Sequence, residues 1–166
     1  MLELLNLSVL GALHTLVSLI AMAAGIVALI RFKEITHRTL SGKIYIVTTV
    51  LTCLSGFGIY RLGGFGAPHV LGIVTLVVLG ISGIAAKGIA FGRASRYIEV
   101  IGYSATLFFH TIPAITETVT RIPIGNPLIT DRNSPALQAA AGVTFLLFLI
   151  GATLQFIRLR KAASSN

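Results

Sequence analysis

Apolar residues run along this chain in five long stretches, approximately 8–30, 43–60, 68–86, 97–117 and 135–157, separated by shorter polar connections. Each stretch is near the ~20 residues a helix needs to cross a hydrocarbon core about 30 Å thick. Lipid offers the backbone no hydrogen-bond partner, so a spanning segment is either a helix or part of a closed barrel. Barrel strands read as about ten residues of alternating character; these runs are longer and unbroken. The pattern predicts an all-α fold, a polytopic transmembrane helical bundle of five spans. Four spans would form the core with one added to it, in a single domain covering 1–166.

Composition points the same way. Only 11% of residues are charged and 55% are hydrophobic, against roughly 25% charged in an ordinary soluble domain. A small soluble domain keeps too much surface to hide so much apolar area. The net charge of +8 raises nucleic acid as a partner. The basic residues, however, fall in short clusters between apolar runs and not along one soluble face. The lipid bilayer is therefore the expected partner, and nucleic acid is not. The single cysteine, Cys53, lies inside an apolar run, so no intramolecular disulfide forms. The first ten residues lack the basic region of a secretory signal.

The connections set the orientation. If the loop after the first run is inside, then Arg31, Lys33, Arg38 and Lys43 are inside. So are Lys87, Arg93 and Arg96, and Arg158, Arg160 and Lys161; only Arg61, Arg121 and Arg132 fall outside. The positive-inside rule then predicts an N-out/C-in, multi-pass protein of a bacterial cytoplasmic (inner) membrane. The fourth run is the most polar, with Glu99, His110, Thr111, Pro113 and Glu117. Removing it from the count would place the C-terminal RLRK cluster outside, against the same rule. The longest connection, outer segment 118–134, is rich in Pro, Asn and Asp and long enough for a small cap.

Ionisable residues inside spans are costly and mark function by default. At 1.5 Å per residue, His14 lies about 25 Å above Arg31, His69 about 27 Å above Lys87, and His110 about 21 Å above Arg96. Three histidines from three helices thus share one depth near the outer face, whereas His37 lies in the inner loop. On the fourth run, Glu99, Tyr103, Thr106, His110, Glu117 and Arg121 fall within about 40° of one line at 100° per residue. Such a stripe faces the bundle interior or a water-filled path. The first span carries Gly11, His14, Ser18, Ala21, Gly25 and Ala28 on one side, and the third carries His69, Gly72, Gly80 and Gly83. These small residues suit close helix packing or leave room for a flat ligand.

The histidine cluster admits three readings. A haem b clamped by two imidazoles would use His14 with His110 or His69. A transition-metal ion would use His14, His69 and His110, with Glu117 as a fourth group. Alternatively the imidazoles hydrogen-bond between helices with no cofactor. Three roles are open: electron transfer between a quinone and an outer acceptor, with haem or a metal at these histidines; a small transporter or channel along the Glu99–Arg121 stripe; or an accessory subunit of a larger membrane complex. The inner-loop residues His37, Arg38 and Tyr45 fix topology and touch anionic headgroups, or bind an anionic or quinone-like ligand.

A histidine in the first span followed by HR-x-x-x-G-K-x-Y opening the second resembles a group of uncharacterised bacterial multi-span membrane proteins. Those carry HR-x-x-G-[RK]-x-Y at the inner loop, one residue shorter between Arg38 and Gly42. The general plan is also similar to small b-type membrane cytochromes. The resemblance implies haem held by histidine pairs near each face; with three histidines outside and only His37 inside, one outer site is what carries over. The chain has no P-loop, HExxH, GxSxG or CxxCH motif.

Overall fold

The computed structural model describes residues 8–59 and 64–164. Among them the chain forms α1 (Val9–Phe32), α2 (Leu40–Gly56), α3 (Ala67–Ala86), α4 (Ser95–Val119) and α5 (Pro135–Ser164), with one 3-10 turn at Gly92–Ala94 and no strand. Four of the five helices are long and apolar enough to cross a membrane, and α2, at 17 residues, is a shorter apolar helix. The protein is a helical membrane bundle. Arg61, counted above with the outer charges, lies outside the described residues.

The ends of the helices differ from the apolar runs for local reasons. Ser8 caps α1 by accepting from the Gly11 amide at 3.0 Å. Lys33 ends α1 in the left-handed region, φ 62°, where its amide donates to the Leu29 carbonyl. The α1–α2 connection is tight: a Cβ on Gly42 would sit 1.9 Å from the Thr36 carbonyl oxygen. Thr39 caps α2 through the Gly42 amide, so α2 begins three residues before the apolar run predicted from position 43. It also stops early, because Gly58 and Ile59 donate back to Ser55 and Gly56 in a turn. At the other extreme, α5 continues past 157 through RLRK, whose residues are good helix formers and place positive charge at a helix C-terminus.

Helices α1 and α2 pack along each other, as do α3 and α4; smaller contacts between α2 and α3 and between α1 and α4 close a four-helix ring. Helix α5 lies against α4. The ring interior holds Ala21, Ala28, Tyr45, Leu79, Tyr103 and Leu107. Backbones approach closely where side chains are small, as expected of helices packing in lipid. A Cβ on Gly25 would lie 2.9 Å from the Tyr45 ring, and one on Gly102 would lie 2.1 Å from the Ser82 hydroxyl. Leucines, isoleucines and valines cover the outward faces, the arrangement lipid favours and water does not.

Candidate functional site

Helix α4, the most polar of the five, packs on α1, α3 and α5 and reaches α2 through polar side chains. It runs unbroken through Pro113, and Glu99, Tyr103, Thr106 and His110 along its stripe are all buried. Glu99, Thr106 and His110 find partners on α2 and the connection before it. The Thr36 hydroxyl donates to Glu99 Oε1 at 2.7 Å. The Tyr45 and Thr106 hydroxyls lie 2.7 Å apart, and His110 Nε2 is 3.2 Å from Thr49 Oγ1. Each satisfies a polar group that would be costly if left unpaired in a low-dielectric interior. Tyr45, read from the sequence as part of an inner loop, therefore sits inside α2 with its side chain in the core.

The three histidines expected at one depth line one cavity of about 600 Å³, together with Glu117, Arg121 and Arg132. Each imidazole is held by its own neighbour. His14 Nδ1 lies 3.0 Å from Ser55 Oγ. Its ring passes over Gly56, where an added Cβ would come within 3.2 Å of His14 Cε1. His69 occupies the first turn of α3: its Nδ1 accepts from the Gly66 amide at 3.1 Å, and its ring stacks on Phe65. His110 meets Tyr45 edge to face, ring centres 6.2 Å apart. Among the described residues, no three of His, Cys, Asp and Glu come together as a metal-holding group. The four-residue set of His14, His69, His110 and Glu117 does not assemble: His14 and His110 bond to Ser55 and Thr49 at different positions on α2, His69 bonds within its own first turn, and Glu117 pairs with arginines.

The mouth of the cavity is ionic. Glu117 pairs with Arg121 in the turn just past the end of α4, and with Arg132 at 2.9 Å. Arg132 belongs to the long connection 120–134, which folds back on itself through Leu128 and Ile129 amides donating to Ile122 and Val119 carbonyls. That connection thereby contributes to the cavity wall. The small residues divide between the two roles foreseen for them. Gly25 packs against Tyr45 and Leu107 and Gly83 approaches the Tyr103 hydroxyl, while Gly11 and Gly72 line the cavity. Gly80 faces open space.

A second polar cluster occupies the opposite, basic end. Glu34 bridges Arg96 and Arg158, Arg96 continues to Glu99 at 2.7 Å, and His37 Nδ1 lies 3.4 Å from Glu99. The Arg38 amide donates to the Thr36 hydroxyl at 3.4 Å. Gln155 extends the cluster to α5, accepting from Ser104 at 3.0 Å and donating to the Lys33 carbonyl at 3.1 Å. Glu34, Gln155, Ser55 and Thr49 were not singled out from the sequence. Glu34 alone had a signal, an acid set within a basic loop. Comparison of the chain with protein families, curated proteins and solved structures finds no match.

Proposed function

We propose that the protein binds a prosthetic group in the histidine-lined cavity and serves in electron transfer. The group whose chemistry suits the donors best is haem b, which His14 and His110 would hold. The observation that carries this reading is the meeting of imidazoles from three helices in one cavity of about 600 Å³, within the usual ~300–1,000 Å³ of ligand sites. A bare metal ion would need three or more protein ligands in reach. A porphyrin brings four nitrogens of its own and asks the protein for two. His14 and His110 are each steadied by a hydroxyl, the kind of outer hydrogen bond that orients a ligating imidazole. Arg121 and Arg132 at the mouth would meet carboxylates on the group. His69, engaged in capping α3, contributes to the wall.

Bound there, haem would supply one-electron chemistry; the protein would bind it, orient it and exclude water from one side. The cross-helix hydrogen bonds along the inner half of the stripe support a site entered from one face over a path through the bundle. In this reading the cavity end faces outward from a bacterial cytoplasmic membrane, the basic end faces the cytoplasm, and a membrane quinone is the partner. The test is the absorbance spectrum of protein purified in detergent from cells supplied with a haem precursor. A Soret band that sharpens on dithionite reduction is expected, lost in His14→Ala and His110→Ala and kept in His69→Ala. A colourless wild-type protein would remove the reading.

A further inference from the structure

Helix α5 leans on α4 and makes no comparable packing with α1, so a cleft of about 470 Å³ opens sideways between α1 and α5. Leu107 and Phe108 of α4 form its floor, and Leu29, Leu147 and Leu154 stand along its walls. The hydroxyls within reach are already spent: Ser104 donates to Gln155, Thr111 to the Phe108 carbonyl and Thr144 to the Ala141 carbonyl. Hydrocarbon is the occupant such a lining accepts.

One end of the cleft is different. There Lys33 and Arg158 line it, beside Arg31, Arg160 and Lys161 in the sequence. Arg158 ties that end shut by donating to the Phe32 carbonyl at 2.8 Å and pairing with Glu34. Lining positions on α5 run from Thr144 to Arg158, about 21 Å along a helix, which exceeds half of a ~30 Å core. The cleft thus has the length of one leaflet's acyl chain and a cationic end at headgroup depth. We propose that it holds an anionic phospholipid, an acyl chain lying against Leu107 and Phe108 and the phosphate at Lys33 and Arg158. A neutral lipid would gain the groove but not the charge, and a quinone would find no donor for its carbonyls along the apolar length. The proposal stands apart from the reading of the histidine cavity.

Native mass spectrometry of the full chain in detergent, mixed with phosphatidylglycerol or with phosphatidylcholine of the same chain length, tests it. One phosphatidylglycerol should be retained in preference by about tenfold or more, since each basic residue near a headgroup contributes about fivefold. Lys33→Asn should lower that retention about fivefold and lower that of phosphatidylcholine, whose phosphate is offset by its own choline cation, by less. Asn suits the position because Lys33 has φ 62°, a region Asn tolerates. Gly151→Leu should reduce retention of both lipids with the melting temperature unchanged, since an added Cβ there meets nothing within 4 Å. Equal retention of the two lipids would overturn the proposal. So would Gly151→Leu binding as wild type, or a co-purified quinone in place of lipid.

Discussion

Glu99 is the residue on which the basic end turns, and replacing it gives a quantitative test of that end. Its side chain is 1% exposed and meets the Thr36 hydroxyl at 2.7 Å, Arg96 at 2.7 Å and His37 at 3.4 Å. Glu99→Ala leaves the Thr36 hydroxyl without its acceptor and Arg96 with Glu34 as its remaining acid. Breaking a buried pair from one side costs about 3–5 kcal/mol. Arg96 is 33% exposed, and solvent screening lowers the expectation to about 3 kcal/mol. For a chain of this size that is a fall in melting temperature of roughly 6–12 °C. Glu99→Gln keeps an acceptor for Thr36 and gives up the charge, for about half the loss.

The chain carries its own reporter for the measurement. Cys53 is the single cysteine and is buried at the wall of the histidine cavity, so a thiol-reactive dye too bulky for that cavity brightens when the bundle opens. The pair is then separated from general damage by a double-mutant cycle. If the cost of Glu99→Ala is the stranding of Arg96, Arg96→Ala in that background adds much less than it does alone. A Glu99→Ala protein melting within about 2 °C of wild type would show that these contacts are worth no more than surface ion pairs, and the account of the basic end would be wrong.

Other substitutions test separate parts of the fold with the same dye. Tyr45→Phe removes one inter-helix hydrogen bond, to Thr106, and should cost about 0.6–1.5 kcal/mol, with Thr106→Val adding little in the double variant. Gly25→Ala puts a methyl 2.9 Å from the Tyr45 ring and should destabilise by about 1–3 kcal/mol. Gly80→Ala, where an added Cβ meets nothing within 4 Å, should be neutral or stabilising by up to about 1 kcal/mol. Equal effects at the two glycines would contradict the packing described. For orientation, in a Cys53→Ala background, Leu128→Cys should react with a membrane-impermeant maleimide on intact cells and Arg38→Cys only after permeabilisation. The reverse pattern would invert the topology.

The spans were legible because hydropathy over ~20 residues is a one-dimensional signal, and the stripe on α4 because helical periodicity fixes which residues share a face. Rise per residue sufficed to bring His14, His69 and His110 to one depth. Rotation about each helix axis was not legible, since it is set by partner helices. That is why His14 turning to Ser55, and His69 bonding within its own first turn, do not follow from spacing. Tyr45 looked like loop because it follows a basic cluster, yet α2 begins before it. Glu34 was not singled out because Arg96 and Arg158, its partners, are distant in sequence. The lateral cleft belongs to no single segment and has no sequence signal of its own.

The position of α5 at the margin of the ring implies an order of events in time. Every contact that closes the four-helix ring is made by residues that precede the end of α4 at Val119. A ribosome adding about 5–20 residues per second needs roughly two to nine seconds more to deliver the rest of α5. No residue of α5 is needed to close the ring, so α5 docks on a surface that α1 to α4 make by themselves. The carbonyls of Phe32 and Lys33, which Arg158 and Gln155 engage, are in place only after the turn between α1 and α2 has formed. Helix α5 is thus a latch that engages only where the first turn was made correctly.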